Sequence, residues 1–289
     1  MKRPVSRVAR HGNPADLLVK AVAGRWEVFR EQLVLARRRP GESTIHDLRV
    51  ATRRLIAAIQ MAEALVPESR IRETRNVLRR HLKSFNALRD VHVQLLRVAE
   101  MQRRFPQLRP FATDLRVRER RLARAARGEM RRIRVKPLER DITEALEQVL
   151  SLFARGATQE AGRLALLGAG GSAFTAAVLR LRSVSPDDPR SLHRFRVSFK
   201  KLRYAIEILR PQLPWSVKPL MKKMNAYQTA MGEIQDLEVF TAAVRAFAVR
   251  RGQSGSLPFI PVFHELAEQR RNRTRTFLER AGDIFEFWQ

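Results

Sequence analysis

A chain of 289 residues with 44% apolar content has material for one large core or two smaller ones, and its lack of cysteine excludes disulfides, thiolate metal sites and a cysteine nucleophile. A formal net charge of +28 and a pI near 11.7 lie far outside the magnitude of roughly 2 to 8 that solubility asks of a small domain, and imply a strongly anionic partner. Only 9 of the 57 basic residues are Lys; the other 48 are Arg, whose planar fork matches the oxygens of phosphate. No unbroken apolar run reaches the ~18 to 20 residues of a membrane span, and no apolar signal core follows Met1, so the expectation is a soluble, cytoplasmic protein without membrane contact.

Residues 1–12 form a basic, aperiodic tail. Asn13-Pro14 is an N-cap followed by Pro at the first helical position, opening a helix over about 14–38 with Leu18, Val22, Trp26, Phe29 and Leu33 on one face. Ser43 or Thr44 caps a second helix that reaches about Val66. The pattern predicts a long helix over 68–104, another over 110–135, and over 138–154, after Pro137, a kinked continuation or a separate helix.

The same order follows in the second half: a helix over 158–182 with its weakest point at Gly168–Gly171, a helix from Asp188-Pro189 to about Arg210, and a break at Pro211 and Pro214. A long helix over 215–251, a loop over 252–258 and a last helix over 259–284 complete the chain. No run alternates as a strand would, so the fold class is all-α, organised as two pseudo-symmetric four-helix bundles, residues 13–154 and 155–289, with a basic groove or pore between them.

The duplication rests on a motif. His46, Arg49, Arg53 and Arg54 return 147 residues later as His193, Arg196, Lys200 and Lys201. On a helix, offsets of 0, 3 and 7 lie in one stripe, and the second copy extends it with Tyr204 and Glu207, flanked by Arg203. Each His falls near a helix start, where backbone amides and the dipole already favour an anion. A second block follows in register: Asn86-Ala87-Leu88-Arg89-Asp90 matches Gly232-Glu233-Ile234-Gln235-Asp236. Asp90 and Asp236 are expected to hold a basic side chain in its rotamer rather than to meet phosphate themselves, and Glu207 is given the same role.

With these blocks, and with Leu202-Arg203-Tyr204 and Met231-Gly232-Glu233-Ile234-Gln235-Asp236, the chain resembles the CHAD family, the conserved histidine α-helical domain, over residues 13–284. The resemblance implies helical bundles around a basic central groove that binds inorganic polyphosphate, and for some members an association with polyphosphate granules. The companion triphosphate-tunnel signature, Glu-x-Glu-x-Lys, is absent here. Asn86 stands where the second half has Gly232, a departure that bears on how closely helices approach in the first half.

Further stripes add to the candidate polyphosphate surface: Arg72, Arg75, Arg79 and Lys83 in the first half, Lys218 and Lys222 in the second. Arg116, Arg120, Arg124, Arg127, Arg131 and Arg134 continue such a stripe on the fourth helix, where a plainly solvated face is the competing interpretation. The histidines, as donors strongest when protonated, predict tighter binding at mildly acidic pH. His11, His81, His92 and His264 lack supporting context.

No nucleophile–base pair, Walker loop or metalloprotease motif is present, so the expectation is a non-catalytic binding module without metal or cofactor. Nucleic acid is the alternative partner, disfavoured by only 3 Trp and 2 Tyr for stacking, and a metal-dependent phosphohydrolase using Asp90 and Asp236 ranks third.

Overall fold

The computed structural model describes residues 13–155, 158–213, 216–252 and 257–288. Their regular structure is helical: α1 (Pro14–Arg38), α2 (Glu42–Leu65), α3 (Ile71–Ser84), α4 (Asn86–Met101), α5 (Arg109–Arg132), α6 (Val135–Ala154), α7 (Gln159–Arg182), α8 (Pro189–Leu209), α9 (Val217–Arg250) and α10 (Ile260–Glu279), with short 3-10 turns beside α5, α8 and α10. The basic tail of residues 1–12, Pro214 and the centre of the expected 252–258 loop lie outside the described residues.

Caps form where the sequence places them in two cases. The Asn13 side chain accepts from the Ala15 N–H and that of Asp188 from the Arg190 N–H, each just before a proline at the first helical position. α2 starts earlier than expected, at Glu42: Gly41 is the N-cap and its N–H donates to Thr44 Oγ1 at 3.0 Å.

Four expected helices change their limits. The helix expected over 68–104 is two, because at Phe85 the chain takes a tighter turn, its N–H donating to Leu82 O at 3.3 Å, while its fully buried ring pins the junction. The fourth helix stops at Arg132, since Ile133 and Arg134 are extended, so Arg134 leaves the arginine stripe. Pro137 then sits inside the first turn of α6, where its missing N–H costs no helical bond. The last helix ends at Glu279 and a 3-10 turn, Ala281–Glu286, continues the chain.

α7 passes through its glycines unbroken. An added Cβ at Gly170 would run into the Trp288 ring and stand 2.7 Å from Leu209 Cδ1, so glycine here permits a close approach. Gly170→Ala should lower stability by about 1 to 3 kcal/mol through overpacking. Urea unfolding checks this, and a midpoint unchanged from the parent would show that Trp288 moves aside freely. By length and composition α7 is also apolar enough to cross a membrane, with mean hydropathy 1.5 over 18 residues. Unbroken apolar runs do not register it because Gly, Ser and Thr interrupt them. Here it packs against α8, α1 and α2.

The core does not divide at residue 155. One cluster joins Trp26 and Phe29 of α1, Leu48 and Leu55 of α2 and Ile142 of α6 to Leu166 of α7 and Phe195 and Phe199 of α8. A second joins Val91 and Val98 of α4 and Phe111 of α5 to Phe240 and Phe247 of α9 and Val262 of α10. Each therefore draws on both halves of the chain, in place of one bundle from 13–154 and another from 155–289. The first cluster arises from the lateral packing of the α1–α2 hairpin on the α7–α8 hairpin, which brings the two motif helices, α2 and α8, into contact, and the second from the packing of α4 on α9.

Candidate anion-binding site

α2 and α8 pack against each other, α4 touches α2, α9 touches α8, and α4 touches α9. These four helices carry the two repeated blocks. Arg49 is buried and its Nη1 donates to Asn86 Oδ1 at 2.5 Å. At the matching place in the second half, a Cβ on Gly232 would stand 3.4 Å from Arg196 Nη2, so the Arg196 guanidinium lies against bare helix backbone. The Asn86/Gly232 difference thus leaves both helices close and gives one arginine an acceptor that the other lacks.

The basic groups of the two motifs form one electrostatic cluster. Burial, then Arg53, lowers Arg49 to about 10. Burial also lowers Arg53, with Arg89 and Arg203 adding, and Arg196, with Arg53 adding. Lys200 is pushed down to about 7, by burial first and then by Arg196, Arg53, Arg203 and Arg49. Two carboxylates face them: desolvation raises Asp90 and Asp236, opposed by Arg49 at the first and Arg196 at the second, and Asp236 itself raises Asp90. Six cations, Arg49, Arg53, Arg89, Arg196, Lys200 and Arg203, thus stand against two acids. Among the described residues, Arg49 Nε, Arg89 Nη1, Arg196 Nε and Arg203 Nε are buried donors with no acceptor. A half-buried set of cations with unused N–H groups can accommodate oxyanions that supply both charge and acceptors.

The three carboxylates given positioning roles differ in their contacts. Glu207 takes Arg25 of α1 at 3.3 Å and Arg54 at 3.8 Å, tying α1, α2 and α8 together. Asp90 and Asp236 act on Arg49 and Arg196 through space. The Arg203 guanidinium lies 4.7 Å over the Tyr204 ring and its Nη1 donates to Asn225 Oδ1 at 2.6 Å. Tyr204 itself is buried, in electrostatic reach of Arg53 and Arg196. Loss of one such anchor, Asn86→Ala, should cost about 1 to 3 kcal/mol by leaving a buried charged donor unpaired. A chemical-denaturation difference below ~0.5 kcal/mol would count against that hydrogen bond.

The histidines differ. His193 Nδ1 lies 2.8 Å from Gln235 Oε1, whereas His46 faces Arg89 at the matching position. Burial and then Arg89 lower His46, so it stays neutral to a lower pH than an ordinary imidazole. The expected pH response moves from His46 to Lys200.

The outlying stripes are not drawn into this cluster. Arg72 and Arg75 both pair with Glu63, near the far end of α2, the former at 2.7 Å. Arg79 feels burial, then Arg75 and Glu63, rather than the α8 cations. Lys83, Lys201, Lys218 and Lys222 are exposed. His81 and His92 have carboxylate partners, Glu129 at 2.8 Å and Glu119 at 3.3 Å. Among the described residues no group of three or more His, Asp or Glu is arranged to hold a metal ion.

Reading the motifs misses two participants, Arg89 and Arg25. Arg89 stands beside Asp90 inside the repeated block, but its counterpart Gln235 is uncharged and the pairing of blocks hides it. Arg25 has no motif around it, and only its contact with Glu207 reveals it.

Fold and site together define an all-helical protein whose two His-x-x-Arg helices pack side by side around a half-buried cationic cluster. The family model of the CHAD domain matches residues 20–245, and the chain belongs to that family. It is similar to the crystal structure of the CHAD domain from the plant Ricinus communis, with 18% identity, a TM-score of 0.73 and coverage of 96% of each chain, a likeness that establishes a shared fold. Comparison with curated protein sequences gives no match.

Proposed function

We propose that this chain is a non-catalytic module that binds inorganic polyphosphate, with the α2/α8 cluster as its main site. The observation that carries the reading is the meeting of Arg49, Arg53 and Arg89 with Arg196, Lys200 and Arg203 in one place, with buried donors unsatisfied. A phosphate polymer supplies closely spaced oxyanions, relieves the repulsion among these cations and releases its counterions. In this reading His46, His193 and Tyr204 border the bound chain, while Lys201, Arg54, Lys83, Lys218 and Lys222 extend the field at its approaches. The two motif helices act as the paired halves of one duplicated site, and a cytoplasmic location at polyphosphate granules follows from the ligand.

The test is a titration of long-chain polyphosphate, single-stranded RNA and duplex DNA at matched salt, with phosphate release followed in the same samples. The expected result is tight, steeply salt-dependent polyphosphate binding that exceeds nucleic-acid binding, without release of phosphate. Equal or better affinity for RNA or DNA would replace polyphosphate by nucleic acid, and metal-dependent release lost in Asp236→Ala would make the chain a phosphohydrolase.

A further inference from the structure

α5 carries a second cationic surface that the α2/α8 site does not use. Arg116, Arg120, Arg124, Arg127 and Arg131 are all exposed, and on a helix they occupy an arc of about 80° along roughly 22 Å. The acids of this helix are engaged elsewhere: Asp114 with Arg250 of α9, Glu119 with His92 of α4, and Glu129 with His81 of α3 and with Arg132. Among the described residues, the outward arginines have no acidic partner. Arg124 and Arg127 fold their Nε back onto Arg120 O and Ala123 O, each at 3.4 Å, which still leaves the guanidinium ends facing solvent. Like charges three and four residues apart repel, so the row destabilises α5 unless an anionic polymer lies over it.

The row is also electrostatically separate from the first site. The charges acting on His46, Arg49, Arg53, Arg196 and Lys200 come from α2, α4, α8 and α9, and none comes from α5. We infer that the outer face of α5 is a second phosphate-polymer site, which makes the protein bivalent and able to join two polyphosphate chains or two segments of one. This rests on the polyphosphate reading above. The one aromatic of α5, Phe111, is buried and Val117 is the helix's large exposed apolar residue, so the row offers no stacking platform for bases.

The consequence is length dependence. A chain of a few phosphates occupies the cluster alone, whereas a long chain engages both sites and gains effective concentration, or bridges protein molecules. The experiment compares the native protein with Arg120→Gln/Arg124→Gln/Arg127→Gln, using tripolyphosphate and long-chain polyphosphate, binding isotherms across a salt series, and light scattering. For the triple variant we expect tripolyphosphate affinity within twofold of native, long-chain affinity lower by about tenfold or more, a salt slope smaller by about 2 to 3, and loss of scattering at near-equimolar charge. Native affinity, slope and scattering in the triple variant would overturn the second site. An equal loss for tripolyphosphate would also overturn it, by making α5 part of a single site. If the native protein binds neither polymer, the polyphosphate reading itself falls and this inference with it, an outcome visible before any variant is made.

Discussion

Arg53→Met/Lys200→Met should weaken polyphosphate binding by about 100-fold or more while making the unliganded protein more stable. The two residues hold matching motif positions on neighbouring helices, and Arg53 acts directly on Lys200. Each charge-assisted hydrogen bond to a phosphate oxygen contributes about 1.5 to 3 kcal/mol, so removing two accounts for the loss of affinity. The opposite sign for stability follows from the surroundings. The charges that push Lys200 down are cationic and outweigh the nearby Asp236 carboxylate, so an apolar side chain of similar length removes desolvation and repulsion together. Replacing half-buried charge in this way stabilises by about 1 to 4 kcal/mol. Isothermal titration and urea unfolding of the same preparations check the pair. A double variant that loses stability as well as affinity would show that the cluster holds the fold together, and the binding assignment of these residues would fail.

Polyphosphate binding should tighten by roughly tenfold as pH falls from 8.5 to 6.5 at constant ionic strength, with uptake of up to about one proton per site. Free Lys200 sits near 7, below its ordinary 10.5, so across this interval it passes from mostly neutral to mostly charged. A bound polyanion favours the charged form, raises the group again and draws in the proton. For folding the sign runs the other way. The unfolded chain binds this proton up to the ordinary lysine range, so the unfavourable contribution of Lys200 is fully present below about 7. It fades as pH rises from there toward about 10. Unliganded stability should therefore gain from this group on the alkaline side. Lys200→Met removes both trends, and a native pH slope retained in that variant would shift the response to other groups. His46 adds only at more acidic pH, because burial and Arg89 hold it down.

The helical class was legible because the apolar residues of α1, α2 and α8 recur at helical spacing, and because Asn13-Pro14 and Asp188-Pro189 are local signals whose chemistry acts within a turn. The limits of the other helices were less so. Nothing in the residues around Phe85 marks a break; the break comes from burying that ring at the α3–α4 junction, a tertiary demand. Gly168–Gly171 looks like a weak point when local propensity is considered, yet the packing of Gly170 beneath Trp288 and Leu209 keeps the helix whole.

Spacing along one helix places His46, Arg49 and Arg53 on a stripe and does the same for His193, Arg196 and Lys200, since helical periodicity depends on nothing beyond the chain itself. Whether the two stripes share a site depends on contacts between residues more than a hundred positions apart, and these are made by the packing of one hairpin on the other. That packing joins both halves into a common core, while α4, lying against α2 and α9, brings in Arg89, and the short α2–α3 turn gives Arg72 and Arg75 to Glu63 instead of to the cluster. It also moves the pH response onto Lys200. A pKa reflects burial and every neighbouring charge, and those are properties of the assembled helices, whereas the positions of the basic residues along each helix are properties of the chain.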